Sequence, residues 1–159
     1  MVTEPDEKTL AELLPGTWRV AGTNFPLWIR GARRHPTFTY AIRAVDPLVL
    51  DDTVSYETAD GTAKQIVGVD TWRDGHFVWR GTGLLSLARS QWSVTGVTSD
   101  GAVAAIRFTK SFLSPAGIDI VVRDGAPALE PRTLVAVASE RFGLSAEDFA
   151  TLTWLEQRA

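Results

Sequence analysis

Cysteine is missing from all 159 positions, so disulfides, thiolate-bound metals and cysteine nucleophiles are excluded. Histidine is scarce. Its two copies, His35 and His76, fall at opposite ends of strand-length segments, without the spacing of a metal site. An excess of positive charge is also lacking. The formal net charge is −3, whereas nucleic-acid recognition wants a basic surface. No apolar run approaches the ~18 residues of a membrane-spanning helix, and the N-terminal MVTEPDEKTLAELLPG has no signal-peptide pattern. These gaps point to a cytoplasmic protein of bacterial style. No glycine-rich phosphate loop is present either: Gly81-Thr82-Gly83 sits inside a strand and opens no helix. Neither metal nor nucleotide is expected, and no cofactor is assigned.

Tryptophan, by contrast, is abundant. Hydrophobic residues at 45% and charged residues at 22% are ordinary for one globular domain of this length, but six Trp are not. They imply either a Trp-rich core or a cavity lined for a flat, apolar ligand.

The turns define the fold. Asp-Gly is a strong hairpin signal, because a type I′ turn needs positive φ at both central positions. It occurs at Asp60-Gly61, Asp74-Gly75, Asp100-Gly101 and Asp124-Gly125. Further breaks at Asp46-Pro47, Arg89-Ser90 and Ser114-Pro115-Ala116-Gly117 complete a set of eight segments: 17–24, 36–45, 48–58, 62–72, 76–86, 91–98, 102–112 and 118–123. The pattern predicts an eight-stranded antiparallel up-and-down barrel over about 16–124, which leaves no free edge. Lys8–Leu14 reads as a short N-terminal helix. Beyond the breakers Pro127 and Pro131, a helical tail spans about 131–157. Its first helix runs from Thr133 to Phe142 and stops at Gly143; its second starts at the capping box Ser145–Asp148 and carries Phe149, Leu152 and Leu155. The whole chain reads as a single domain.

Register follows from two-residue turns, because a slip of one residue exchanges the faces. Around Asp74-Gly75, Trp72 pairs with Phe77, Asp70 with Trp79 and Gly68 with Gly81. Carried outward, the same face takes Phe38, Tyr40, Ile42, Thr53, Ser55 and Ile66. The other face takes residues such as Asp52, Val67, Val69, Arg80 and Thr82, which suit a solvated exterior. Pairing Ser86 with Gln91 then puts Trp92, Val94 and Gly96 inside, and the Asp100-Gly101 turn adds Val103, Ala105, Arg107 and Thr109. Gly68, Gly81 and Gly96 lie in one row, marking either barrel curvature or a ligand space beside the tryptophans. Asp70 and Arg107 are inward charges about 13 Å apart along the strands; they either neutralise each other or anchor a ligand. The Asn24–Pro36 connection carries Trp28, Arg30, Arg33, Arg34 and His35. It is either a solvated basic loop or a mouth that meets an anionic ligand.

Gly16-Thr17-Trp18, following a short helix and opening the first strand, is similar to the Gly-x-Trp signature of the lipocalins and the wider calycin superfamily. The resemblance implies that Trp18 closes the bottom of the barrel, with Arg123, at the end of the eighth strand, stacked across it. Where the family's loop between the sixth and seventh strands reads Thr-Asp-Tyr, this chain has Thr98-Ser99-Asp100-Gly101. The resemblance also implies a barrel that binds a small hydrophobic molecule. Intracellular fatty-acid-binding proteins of that superfamily use an inward Arg with a Tyr, roles that Arg107 and Tyr40 match by residue type.

Three functions stay open. The first is binding of a small hydrophobic, potentially anionic, molecule by Trp28, Phe38, Tyr40, Ser55, Asp70, Trp72, Trp79, Trp92 and Arg107. The second is a cofactor-independent isomerase or cyclase of a polyene- or polyketide-like substrate, with Asp70, Tyr40 and Arg107 as acid–base or charge-stabilising groups. The third is a filled barrel serving as an interaction module. Neither nucleic acid nor a membrane span is expected as a partner.

Overall fold

Arg73 and His76 face each other across Asp74-Gly75, both of which have positive φ, as a two-residue type I′ turn requires. That hairpin anchors the rest of the sheet. The structure is a computed structural model describing residues 4–111, 115–126 and 130–156; the expected breaker Pro127, the turn residue Ser114, and the last positions expected of the seventh strand and the tail lie outside them.

Helix α1 (Glu7–Leu13) is N-capped by the Asp6 carboxylate and leads into β1 (Gly16–Thr23). A short helix α2 (Pro26–Ile29) follows. Next come β2 (Arg33–Ala44), β3 (Val49–Thr58), β4 (Ala63–Arg73), β5 (His76–Gly81), β6 (Arg89–Val97), β7 (Val103–Phe108) and β8 (Gly117–Arg123). Each strand pairs with the next and β1 pairs with both β2 and β8, so eight antiparallel strands close into a barrel. The tail holds α3 (Pro131–Val137), a 3₁₀ turn at Ser139–Phe142, α4 (Ala146–Ala150) and a two-residue strand β9 (Thr153–Trp154) against β1. The expected Thr133–Phe142 helix is thus broken at Ala138, whose φ/ψ of −130°/37° leaves the helical region. The second helix ends early because the chain turns back into the sheet. Its cap is as expected: Ser145 Oγ accepts from Asp148 N, and Asp148 Oδ2 accepts from Ser145 N, both at 3.0 Å.

Two pieces of turn chemistry move residues off their expected faces. Asp60-Gly61 does not form a two-residue turn. Thr58 and Thr62 bracket a three-residue loop in which Gly61 takes φ +86°, so Val54 and not Ser55 sits opposite Ile66. Asp52 therefore points into the barrel, while Thr53 and Ser55 point out. A compensating shift between Ile42 and Ala44 restores Phe38 and Tyr40 to the inside. The second change is a bulge between Val94 and Gly96. Trp92 and Val94 face in, but Gly96 faces out and leaves the expected glycine row, in which Gly68 and Gly81 do pair. An added Cβ on Gly96 would lie 2.1 Å from the Arg141 carbonyl, so a bare backbone lets the 3₁₀ turn rest there. Ala104, Ile106 and Phe108 now line the interior, and Val103, Ala105 and Arg107 lie outside. The expected strand end at 86 is corrected as well. Arg80 pairs with Arg89, and residues 82–88 form a loop with one 3₁₀ turn.

Two apolar clusters result. The inner one joins Trp18, Phe38, Tyr40, Leu50, Phe77, Trp92 and Ile106. The outer one packs Val103, Ala105, Ile120 and Val122 beneath Val135, Phe142, Leu144 and Leu152 of the tail. Strands β7 and β8 are therefore buried on both faces, which explains their near-continuous apolar runs.

At the base, Trp18 is fully buried and its Nε1 donates to the Leu14 carbonyl at 3.0 Å. The Arg123 guanidinium lies 4.3 Å above the Trp18 ring and donates to the carbonyls of Leu13 and Pro15. This plug ties α1 to the barrel floor.

Candidate functional site

Strand direction places the β1–β2, β3–β4, β5–β6 and β7–β8 connections at the end opposite Trp18. Below them the barrel holds a cavity of about 560 Å³. Its walls are aromatic and aliphatic: Phe25, Trp28, Phe38, Tyr40, Val54, Ile66, Trp79, Trp92 and Phe108 all line it. Proline at the start of α2 sets the turn that drops Trp28 inward, and Phe25 meets Phe108 edge-on with centroids 5.2 Å apart. Gly68 holds Trp79 in place by having no side chain, since a Cβ there would sit 2.1 Å from the indole nitrogen.

Trp92 organises the floor. It stacks between Phe77 at 4.5 Å and Tyr40 at 5.5 Å, and its Nε1 donates to Asp70 Oδ1 at 2.8 Å. Phe77 in turn packs edge-on against Trp72. Asp70 and Trp72 thus support the cavity from beneath, and the cavity lining does not include them.

The site's polar content differs most from expectation. Three buried carboxyls belong to the lumen: Asp52 of β3, Asp70 of β4 and Asp119 of β8. Asp52 and Asp119 line the cavity directly. Asp52 and Asp70 lie on adjacent strands, and their carboxyls influence each other's protonation. Burial pushes Asp52 up to about 6. Burial, then the Asp52 charge, hold Asp70 well above the usual carboxylate range. Asp119 is pushed up to about 7 by burial, opposed in part by the Thr23 hydroxyl and the Trp28 indole. One oxygen on each acid (Asp52 Oδ1, Asp70 Oδ2 and Asp119 Oδ1) has no hydrogen-bond partner among the described residues. Burial and the three neighbouring carboxyls raise Tyr40 well above its ordinary value, so its hydroxyl stays protonated at neutral pH. Among the described residues no cluster of three or more acids and histidines is arranged to hold a metal ion.

Arg107 supplies no counter-charge. The bulge in β6 turns it outward, where Nη2 meets Asp148 Oδ2 at 3.0 Å on α4. It neither pairs with Asp70 nor stands beside Tyr40. Ser55 is likewise outside the lumen. The cation in the lining is Arg30, exposed at the mouth. Of the residues expected to contact a ligand, Trp28, Phe38, Tyr40, Trp79 and Trp92 line one cavity, Asp70 and Trp72 underlie it, and Ser55 and Arg107 leave it. The sequence reading missed Asp52 and Asp119. The signal for Asp119 was present: a lone acid inside the apolar run Gly117-Ile118-Asp119-Ile120-Val121-Val122.

No family model matches the chain, and no curated protein matches it by sequence. Solved structures do match by shape. H1 crustacyanin from the lobster Homarus americanus superposes with a TM-score of 0.65 at 11% identity, covering 100% of this chain and 91% of that one. The siderocalin Ex-FABP gives 0.61 at 14% identity over 92% and 95%. The amine-binding protein of Rhodnius prolixus, in its tryptamine complex, gives 0.63 at 11% identity over 97% and 84%. Identities this low speak to fold alone. The fold is an eight-stranded, closed antiparallel barrel like that of the lipocalins.

Proposed function

We propose that the barrel binds a small molecule with a flat, apolar body and a protonated amine. The observation that carries this reading is the pair of cavity-lining carboxyls, Asp52 and Asp119, each with an oxygen lacking a partner among the described residues, while the cation of the lining, Arg30, is exposed at the mouth. A buried polar group left unsatisfied is costly, and an ammonium supplies both the missing donors and the missing charge. The aromatic walls take the rest of such a ligand. The anionic ligand expected from an inward Arg107 loses its anchor, because that residue is held by Asp148 outside. Asp52 and Asp119, ionised above about pH 7, would repel a carboxylate. Structural likeness adds support: the Rhodnius prolixus neighbour is an amine-binding protein in complex with tryptamine.

Calorimetric titration at pH 8 with tryptamine, tryptophol and indole-3-acetate tests the proposal, since the three share a ring and differ in head group. A charge-assisted hydrogen bond is worth about 1.5–3 kcal/mol, so tryptamine should bind roughly ten- to a hundredfold more tightly than tryptophol. That preference should weaken toward pH 5, where Asp52 and Asp119 take up protons. Equal binding of amine and alcohol would leave an apolar binder without head-group recognition. Failure of all three probes to bind would reject the cavity as a site for ligands of this class.

A further inference from the structure

The rim of the barrel carries two features that the cavity does not explain. The first is exposed leucine. In the β5–β6 connection, Leu84 and Leu87 are 105% and 91% exposed, and Leu85 is 43% exposed. On α2, across the same mouth, Leu27 and Ile29 are each 42% exposed. Leu85 rests on Gly81 and Leu27 borders the cavity, but Leu84 and Leu87 at the loop tip have no packing role within the chain. Exposed leucines that protrude together from one loop mark a contact site.

The second feature is charge. The rim connections and the strand ends that feed them carry Arg30, Arg33, Arg34, Lys64, Arg80, Arg89 and Lys110, against the acids Glu57 and Asp60. Asp60 is engaged within its own turn by Thr58 Oγ1 and by the backbone of Thr62. The remainder of the chain has nine Lys and Arg against seventeen Asp and Glu. At the opposite end, α1 and its approach are acidic, with Glu4, Asp6, Glu7 and Glu12. The barrel is therefore polarised, with a positive mouth on an acidic protein.

We infer that the mouth docks onto an anionic bilayer surface. Basic side chains beside protruding leucines match that partner on both counts. The cations meet lipid head groups, while Leu84 and Leu87 reach the boundary between head groups and acyl chains. The acidic base orients the molecule mouth-first as it approaches. A second copy of the chain is a poor occupant, because two such rims bring like charges together. Nucleic acid would leave the leucines unused. Docked in this way, the cavity opens toward the bilayer, a direct route for an apolar molecule; the docking itself does not depend on what the cavity holds.

Co-sedimentation of the full chain with vesicles tests the inference. Phosphatidylcholine vesicles containing about 30% phosphatidylserine should bind at least tenfold more protein at 0.1 M salt than pure phosphatidylcholine, and 0.5 M salt should remove most of the difference. A Leu84→Ser/Leu87→Ser variant should lose about tenfold, as should an Arg80→Gln/Arg89→Gln variant. All four positions are exposed, and circular dichroism should confirm that both variants fold. Equal binding to neutral and anionic vesicles, or full binding by the leucine variant, would overturn the inference. So would an absence of vesicle binding, which would assign the rim to an acidic protein partner. Concentration-dependent dimerisation that the leucine variant abolishes would assign it to a second copy of the chain.

Discussion

Replacing Asp119 with asparagine should stabilise the protein, and by an amount that depends on pH. In the folded state burial raises the acid from 3.8 to about 7. The folded protein therefore holds its proton more tightly than the unfolded chain does. Below about pH 4 both states are protonated and the acid costs nothing. Between about 4 and 7 the unfolded chain releases the proton first, so stability falls as pH rises; above about 7 the loss is complete. At about 1.4 kcal/mol per pH unit, that interval sets an upper limit of about 4 kcal/mol, of which roughly 1.6 is already lost at pH 5. Asparagine carries no proton to lose and keeps an oxygen to accept from Thr23 and Trp28. The stability gap between the Asp119→Asn variant and wild type should therefore widen by about 2–3 kcal/mol from pH 5 to pH 8. For a chain of this size that is roughly 5–10 °C in melting temperature. Asp52 and Asp70 titrate in both proteins and cancel. Parallel thermal melts at the two pH values read the effect directly. A gap that stays constant, or that closes as pH rises, would refute burial as the source of the shift.

Three other perturbations separate the working parts. Trp18→Ala removes the barrel plug and the ring beneath Arg123; it should cost about 3–5 kcal/mol in urea unfolding, and an unchanged midpoint would remove Trp18 from the core. Arg107→Leu breaks a partly exposed pair with Asp148; it should cost no more than about 1 kcal/mol and leave tryptamine titrations within twofold of wild type, a larger change being incompatible with an outward Arg107. Gly68→Ala drives a methyl into the Trp79 indole; it should cost about 1–3 kcal/mol and shift tryptophan emission, and silence in both measurements would contradict the close approach.

How far the sequence can be read depends on the kind of turn at each hairpin. Asp74-Gly75 is a two-residue turn, so the faces of Trp72, Phe77 and Trp79 are legible from spacing alone. Asp60-Gly61 has the same residue pair but three loop residues, because only Gly61 enters the left-handed region there. That difference exchanges Asp52 with Ser55, and nothing in the dipeptide announces it. A one-residue bulge in β6 does the same to Arg107, since bulges leave little trace in hydrophobic patterning. Where the tail covers β7 and β8, both faces are apolar, and the alternation that would have revealed the slip disappears. Aromatic residues are placed well because burial dominates their energetics. Asp70 is placed inside correctly by the Asp74-Gly75 register, but Asp52 and Asp119 are missed, because a carboxyl inside a barrel contradicts local preference.

Strand β9 changes how the barrel wall is held together. Over its first half, Gly16–Arg19, β1 is bonded to β2. Beyond that, Gly22 and Thr23 pair instead with Trp154 and Thr153, and Leu155 N reaches the Ala21 carbonyl at 2.8 Å. The mouth-side edge of β1 is thus seamed to β9, chain that lies after every barrel strand in sequence. In kinetic terms this contact closes a very long loop and so carries a high contact order. The base, with Trp18, α1 and Arg123, can consolidate while the upper wall is still parted. Once formed, the seam rests on two paired residues, so it opens at far lower free energy than the eight-stranded wall. Amide exchange at Leu155, whose N–H is bonded to the Ala21 carbonyl, reads how often this short join parts.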